Sequence, residues 1–236
     1  GVEFGNWVNS RERQDNLNRA YDALLDLASV LNIPSKAVSL NGELGLAFGA
    51  RGSGGKDAPA AHYEPYKIVI NLTRKNGPGS LAHEWYHSLD NYFSRKRGEK
   101  DAYITESPYK LRSNDAIRQE VVDAFKNVKE TIGKTGLKMR SRELDKRRTK
   151  DYWGTGREMA ARAFENYVIE KLAGENYTND YLANITSIKE YAGDMLNILL
   201  SGKTVEDMYP YLLDSEVEQV SGAFDKLFET FERKTT

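Results

Sequence analysis

The sequence predicts an α+β fold in which one small sheet is followed mostly by helices. Three observations predict it: an amphipathic helical pattern near the amino end, two short runs with strand character, and helical periodicity over most of the second half. With 236 residues, of which 39% are hydrophobic and 29% charged, the composition is typical of a soluble globular chain. We therefore expect one domain over residues 1–236.

The amino-terminal elements are a helix and two strands. Apolar residues recur at helical spacing over 15–31, and Pro34 lies just past the end of that pattern. LGLAF (44–48) and the β-branched run YKIVINL (66–72) have strand character, and the residues between them at 49–60 have a loop composition. The helical patterns that follow cover 81–93, 113–132, 156–173, 181–200 and 215–232.

The stretch LAHEWYHSLDNYF at 81–93 contains two of the three histidines of the chain, four residues apart. On a helix His83 and His87 lie on one polar face, so both imidazoles can reach one metal ion. Glu84 is turned about 100° from His83, so its carboxylate can reach a water on that ion and act as a base. The spacing predicts a zinc site with its catalytic base. The alternative is a chance HExxH on a solvated helix face.

The charge of the chain is uneven. The net charge is −1, yet residues 133–150 hold eight Lys or Arg against two acids. This basic run, with Arg147 and Arg148, is the candidate contact for nucleic acid, and its alternative is a solvated helix or loop. The chain has no cysteine, no apolar run of about 20 residues and no signal-peptide pattern. We therefore expect a cytoplasmic protein that does not contact a membrane, with no prediction for its oligomeric state.

A zinc site needs at least one more protein ligand. The segment 154–172 offers Glu158 and Glu165, which share a helix face but lie roughly 10 Å apart along its axis, so only one can ligate. Thr155 and Glu158 also fit a capping box, which would explain that glutamate without a metal. On spacing alone the choice between the two glutamates stays open.

Two resemblances bear on this choice. EMAARAF at 158–164 resembles the glutamate-bearing helix of gluzincin-type metallopeptidases. In addition, five blocks resemble the first type of large polyvalent-protein-associated domain, a zincin-like domain of phages and conjugative elements. The blocks are FGNWV (4–8), SLNGELGLAFGARG (39–52), AHYEPYKIVINLT (61–73), GSLAHEWYHSLDNYF (79–93) and EMAARAFENYV (158–168).

This resemblance covers about residues 3–175. It implies a zincin-like metallopeptidase core with Glu158 as the third ligand, a charged insertion at about 97–150 and a helical extension at about 176–236. It further implies an association with phages or mobile elements that includes delivery into a host or recipient cell, but it supplies no substrate. Zn²⁺ as cofactor and a protein or peptide substrate are expected from the HExxH motif itself.

Four weaker candidates remain. Asp90 is either an acceptor that orients an imidazole or a solvated acid, and His62 is more often structural than a ligand. Tyr152 and Trp153 precede the Glu158 helix and either supply an oxyanion donor or pack as aromatics. LGLAF is either an edge strand that pairs with an extended substrate or an ordinary sheet strand. The resulting hypothesis is zinc-dependent peptide hydrolysis. Its rivals are a nucleic-acid-associated accessory protein and a zincin scaffold that binds metal without turnover.

Overall fold

A four-stranded sheet packs against one face of a helical layer. The computed structural model describes residues 1–6, 9–51, 61–73, 79–107, 116–191, 200 and 202–232. The strands are β1 (Val2–Phe4), β2 (Gly45–Phe48), β3 (Ala61–Glu64) and β4 (Val69–Leu72). The helices in the described part of the chain are α1 (Ser10–Val30), α2 (Ser35–Val38), α3 (Leu81–Lys96), α4 (Gln119–Gly133), α5 (Leu137–Asp145), α6 (Gly156–Gly174), α7 (Ile188–Tyr191), α8 (Val205–Met208) and α9 (Asp214–Glu232). The predicted mixture of helices with one small sheet is confirmed.

The sheet has the strand order β1-β2-β4-β3. β1, β2 and β4 are parallel, whereas β3 pairs antiparallel with β4 and ends the sheet. The strand within LGLAF therefore lies in the interior, between β1 and β4, and its interpretation as an edge strand is wrong. The end strand next to α3 is β3, whose Tyr63 hydroxyl donates to Asn91 of α3 at 2.9 Å.

Helix α3 is buried on both of its faces. Its apolar side carries Leu81, Trp85 and Leu89 into the core. Its polar side is covered as well, because Asn91 Nδ2 donates to the carbonyls of Lys100 and Ala102. The residues after α3 thus fold back over its polar face, so the alternative of a solvated HExxH helix is wrong.

The amino end of α3 is fixed by the segment that follows α6. Ala82 N–H donates to Leu182 O at 2.8 Å, and Gly79 exchanges backbone hydrogen bonds with Tyr181 and Asn184. Gly79 has a φ of +93°, and a Cβ there would lie 2.8 Å from Asn184 Cβ. Only glycine fits this close approach without strain.

Helices α6 and α9 share one core with α3. Trp85 of α3 stacks on Phe164 of α6 at 5.8 Å and on Phe228 of α9 at 6.3 Å between ring centres. Tyr167 of α6 packs on Phe224 of α9 at 5.1 Å. The residues proposed as a carboxy-terminal extension therefore supply part of the core that positions α6 against α3.

Several element boundaries differ from the prediction. β1 and β3 were not predicted, since three or four residues are too short to show an alternating pattern. Among its described residues, the predicted helix at 181–200 is helical at α7 and at Leu200, and 192–199 lie outside the described part. Most of the predicted loop at 49–60 also lies outside it. In the described part of the chain, no helix is long and apolar enough to cross a membrane.

Candidate metal centre

Three ligand atoms converge between α3 and α6. His83 Nε2 lies 3.1 Å from His87 Nε2. His83 Nε2 lies 3.3 Å from Glu158 Oε2, and His87 Nε2 lies 3.3 Å from Glu158 Oε1. The side chains of His83, His87 and Glu158 are only 13%, 7% and 8% exposed. These residues form a buried cluster that could hold a metal ion, with one atom from each within 4.8 Å of the others.

Glu165 lies behind the cluster and contacts the other nitrogen of His83. Its Oε2 is 2.9 Å from His83 Nδ1. An Nδ1–H that donates to Glu165 leaves the Nε2 lone pair directed at the centre, which is the usual role of a carboxylate behind a metal-binding histidine. Glu158 and Glu165 thus occupy two different positions around the same imidazole.

The capping box that could have explained Glu158 is not formed. Thr155 is the N-cap residue of α6, yet its side chain makes no capping hydrogen bond and instead donates to Tyr152 O at 2.9 Å. The Glu158 carboxylate is consequently available to the histidines.

The charges of the cluster depend on one another in the metal-free state. Burial disfavours the imidazolium of His83, but the Glu165 and Glu158 carboxylates outweigh burial and raise the pKa of His83. Burial likewise disfavours ionisation of Glu158, but the hydrogen bonds from both histidines hold the pKa of its carboxyl well below the usual range. A bound cation would therefore displace a proton from this cluster rather than enter a neutral cavity.

Glu84 follows His83 on α3 and is buried in the same region. Its charge contributes to the raised pKa of His83 and to those of Tyr103 and Tyr152, although burial is the largest cause for the two tyrosines. Glu84 is thus close to the cluster, while the Nε2 atoms of both histidines lie 3.3 Å from oxygens of Glu158.

Asp90 is fully buried one turn after His87. Its Oδ1 accepts the Thr105 N–H at 2.8 Å, which anchors the segment that covers α3. Its Oδ2 and the Nδ1 of His87 are both buried and have no hydrogen-bond partner among the described residues. Burial raises the pKa of Asp90 to about 6, against the hydrogen bond from Thr105 and the charge of His87. The solvated alternative for Asp90 is therefore wrong.

Aromatic residues surround the cluster. Tyr152 is partly exposed, and burial of its hydroxyl, followed by the charge of Glu158 and a hydrogen bond to it, raises the pKa of this tyrosine. The Tyr103 ring lies 5.7 Å from that of His87. Trp153 instead packs under the guanidinium of Arg162, whose Cζ lies 5.1 Å from the ring centre. Of the two aromatic candidates, Tyr152 reaches the cluster and Trp153 serves packing.

Two buried arginines fix the wall of the site, and the sequence analysis did not identify either. Arg162 donates to the carbonyls of Glu158, Trp153 and Pro210. Arg140 donates to the carbonyls of Tyr209 and Tyr211 and forms a 2.6 Å ion pair with Glu216. A buried Arg needs such acceptors, but its sequence position alone does not show which chain segments provide them.

The segment 209–211, held by these arginines, also reaches the candidate site. Burial raises the pKa of the Tyr211 hydroxyl, and the charge of Glu165 adds to this effect. Tyr211 therefore lies near the second α6 glutamate, although it is separated from it by more than forty residues in the sequence.

The other predicted residues lie outside the cluster. His62 is on β3 and its Nε2 is 3.3 Å from Glu64 Oε1. Arg147 and Arg148 are exposed in the turn after α5, and Arg148 Cζ lies 5.0 Å from the centre of the Tyr152 ring. Arg148 is thus adjacent to the site, while Arg140, in the same basic run, is structural.

The family model described as large polyvalent protein-associated domain 1 matches residues 144–235. The match includes α6 with Glu158 and Glu165, the clamped segment 209–211 and α9, and it begins after both histidines. The match supports the resemblance to that domain. It lies closer to the carboxy end of the chain than the blocks at 3–175, and the two ranges overlap at 144–175. Comparison with curated proteins and with solved structures gave no match.

Proposed function

We propose that the protein is a zinc-dependent peptidase. One observation carries the proposal: in a buried position, the Nε2 atoms of two histidines on an HExxH helix lie 3.1 Å apart, and each lies 3.3 Å from a different carboxylate oxygen of a glutamate on a second helix. The adjacent Glu84 completes the set of groups that such an enzyme needs.

The donor set fits zinc by composition and by spacing. Two imidazole nitrogens and one carboxylate are a ligand set found in catalytic zinc sites. Tetrahedral bonds of about 2.0–2.2 Å place neighbouring ligand atoms about 3.3–3.6 Å apart, close to the separations found here. Three protein ligands leave one tetrahedral position for water or substrate.

When bound, zinc would polarise the substrate carbonyl and lower the pKa of a water molecule at the open position. Glu84 would take a proton from that water and pass it to the leaving amine. Tyr152, whose hydroxyl lies beside Glu158, would donate to the oxyanion that develops on the carbonyl. Glu165 would hold His83 in the tautomer that ligates through Nε2.

The sheet supports a peptide as substrate. β3 is the antiparallel end strand and contacts α3 through Tyr63. The backbone of an end strand can pair with an extended peptide, which would then lie along the histidine helix. The match to a large polyvalent protein-associated domain supports a role for this peptidase within a larger protein of a phage or other mobile element.

The experiment that tests the proposal combines zinc analysis with a cleavage screen. We expect the zinc-loaded protein to contain about one zinc per chain and to cleave members of a broad peptide library detected by mass spectrometry. Glu84→Gln should lower the rate by about 10²–10⁴-fold, because general-base catalysis contributes that much, and should leave zinc content unchanged. Glu130→Gln, on the exposed side of α4, is the matched control.

Two results would decide against the mechanism. Full activity of the Glu84→Gln variant would exclude Glu84 as the base. Stoichiometric zinc with no cleavage of any library member would favour the alternative of a metal-binding scaffold without turnover.

A further inference from the structure

Two arginines border the candidate metal centre, each stacked on a tyrosine that lines it. Arg148 Cζ lies 5.0 Å from the Tyr152 ring centre, and Arg157 Cζ lies 5.1 Å from that of Tyr103. Tyr152 interacts with Glu158, and the Tyr103 ring contacts that of His87. Each guanidinium is therefore separated from a candidate ligand by the width of one side chain.

The donors of these arginines are available to a ligand. Among the residues that the structure describes, neither side chain forms an ion pair or a hydrogen bond. Two acids in this region, Asp145 and Glu106, are engaged by backbone groups. Asp145 accepts the N–H groups of 152, 153 and 154, and Glu106 Oε1 accepts the N–H of Arg157 at 2.9 Å. Stacking on a tyrosine holds each guanidinium plane in position without using its hydrogen-bond donors.

The geometry points to an acidic peptide as the substrate: glutamate or aspartate side chains close to the scissile bond would bind Arg148 and Arg157. This inference rests on the proposed peptidase function. A guanidinium binds a carboxylate through two parallel hydrogen bonds, which gives direction as well as affinity. Lys146, Arg147 and Lys150 are exposed in the same turn as Arg148 and add to the positive potential there.

A peptide fits these observations better than a nucleic acid does. The two stacked arginines border a buried histidine and carboxylate cluster through Tyr152 and Tyr103, and do not form an extended basic surface. Strong non-specific DNA binding typically uses 6–10 phosphate contacts, and a net charge of −1 gives the chain no general attraction to DNA.

The test measures binding separately from cleavage. The zinc-loaded Glu84→Gln variant is titrated, by fluorescence anisotropy, into two labelled peptides of identical length that differ only in Glu against Gln. We expect tighter binding of the Glu peptide, with the preference weakened by salt. Adding Arg148→Gln and Arg157→Gln should reduce affinity for the Glu peptide by about two- to fivefold per arginine and leave the Gln peptide unchanged. Glutamine keeps much of the side-chain stem over each tyrosine ring.

The matched control is Arg11→Gln with Arg19→Gln, which removes the same charge from the exposed side of α1. Equal affinity for the two peptides, no binding of either peptide, or equal loss in the control would overturn the inference. A labelled DNA duplex is titrated in parallel, and DNA bound more tightly than the Glu peptide through the same arginines would also overturn it. If the preference holds while the wild-type enzyme cleaves no peptide, the proposed function fails and the binding inference stands.

Discussion

Two regions of the chain meet at the candidate metal centre and contribute to it in different ways. The amino-terminal region, which ends with the segment covering α3, supplies His83 and His87 from adjacent turns of one helix. The carboxy-terminal region, which contains α4 to α9, supplies Glu158, Glu165 and Arg162. The spacing of the histidine pair is fixed by helix geometry alone. The carboxylates reach the histidines only once α6 packs on α3. A site of this kind needs both local geometry and long-range packing, and each region can be tested separately.

Removing one ligand from either region should have the largest effect. We expect His83→Ala and Glu158→Ala each to weaken zinc affinity by about 10²–10³-fold, since the binding energy of a zinc site is shared among about four ligands. Competition against a chelator of known affinity measures the loss. Glu175→Ala, an exposed acid at the end of α6, is the control. Wild-type affinity in the Glu158 variant would show that the carboxy-terminal region supplies no ligand.

The buried Asp90 of the amino-terminal region should make the zinc-free protein sensitive to pH. Its folded pKa of about 6 exceeds the ordinary value of 3.8, so the folded state binds the proton more tightly. Its contribution to the free energy of unfolding is thus fully present below pH 3.8 and is lost as the pH rises through 6. The loss amounts to about 3 kcal/mol.

Urea unfolding between pH 4 and pH 7 measures this contribution. The Asp90→Asn variant should lack the decline in the free energy of unfolding that Asp90 causes as the pH rises. The stability of this variant relative to wild type should therefore increase with pH. Asp123→Asn, on the exposed side of α4, should follow the wild type. A constant difference between wild type and Asp90→Asn across this range would contradict the assignment.

The glutamate behind the His83 imidazole should have a smaller effect on the metal. Glu165→Gln keeps an acceptor for His83 Nδ1–H but removes the charge, and we expect zinc affinity to fall by about tenfold, at the lower end of the range for such partners. If Glu165→Ala instead weakened zinc binding more than Glu158→Ala, the two glutamates would have to exchange roles.

Limited proteolysis should distinguish the exposed from the buried part of the basic run at 133–150. Arg140 is buried and paired with Glu216, whereas Lys146, Arg147, Arg148 and Lys150 are exposed. Trypsin should therefore cut the native protein first at 146–150, and amino-terminal sequencing of the first fragments identifies the site. First cuts after Arg140 would show that its clamp on the segment 209–211 is weak.

The sequence predicts those parts of the site that depend on neighbouring residues. His83, Glu84 and His87 follow from a single helix, and the long helices α1, α3 and α9 follow from their apolar periodicity. The choice between Glu158 and Glu165 could not be made from spacing, because both lie on one face of α6 and only its packing against α3 separates their positions. No sequence motif around Tyr103, Arg157 or Tyr211 marks these residues as part of the site. Each is brought there only by the tertiary fold.

Burial of the polar face of α3 was also beyond prediction. Asp90 and Asn91 look like solvated residues on a helical wheel, yet they bind the backbone at 100–105. From sequence alone, a polar side chain that forms hydrogen bonds with a distant loop cannot be distinguished from one that forms hydrogen bonds with water.

The clamp formed by Arg140 and Arg162 on the segment 209–211 sets an order for assembly during synthesis. Both arginines are buried, and some of their acceptors, the carbonyls of the segment 209–211, are added by the ribosome only after residue 208. The histidine helix is complete at Lys96, and at about 5–20 residues per second the remaining chain needs roughly 6–23 s to reach Tyr211. During that interval His83 and His87 can meet a metal ion without a stable α6 beside them, so the carboxylate side of the centre closes last.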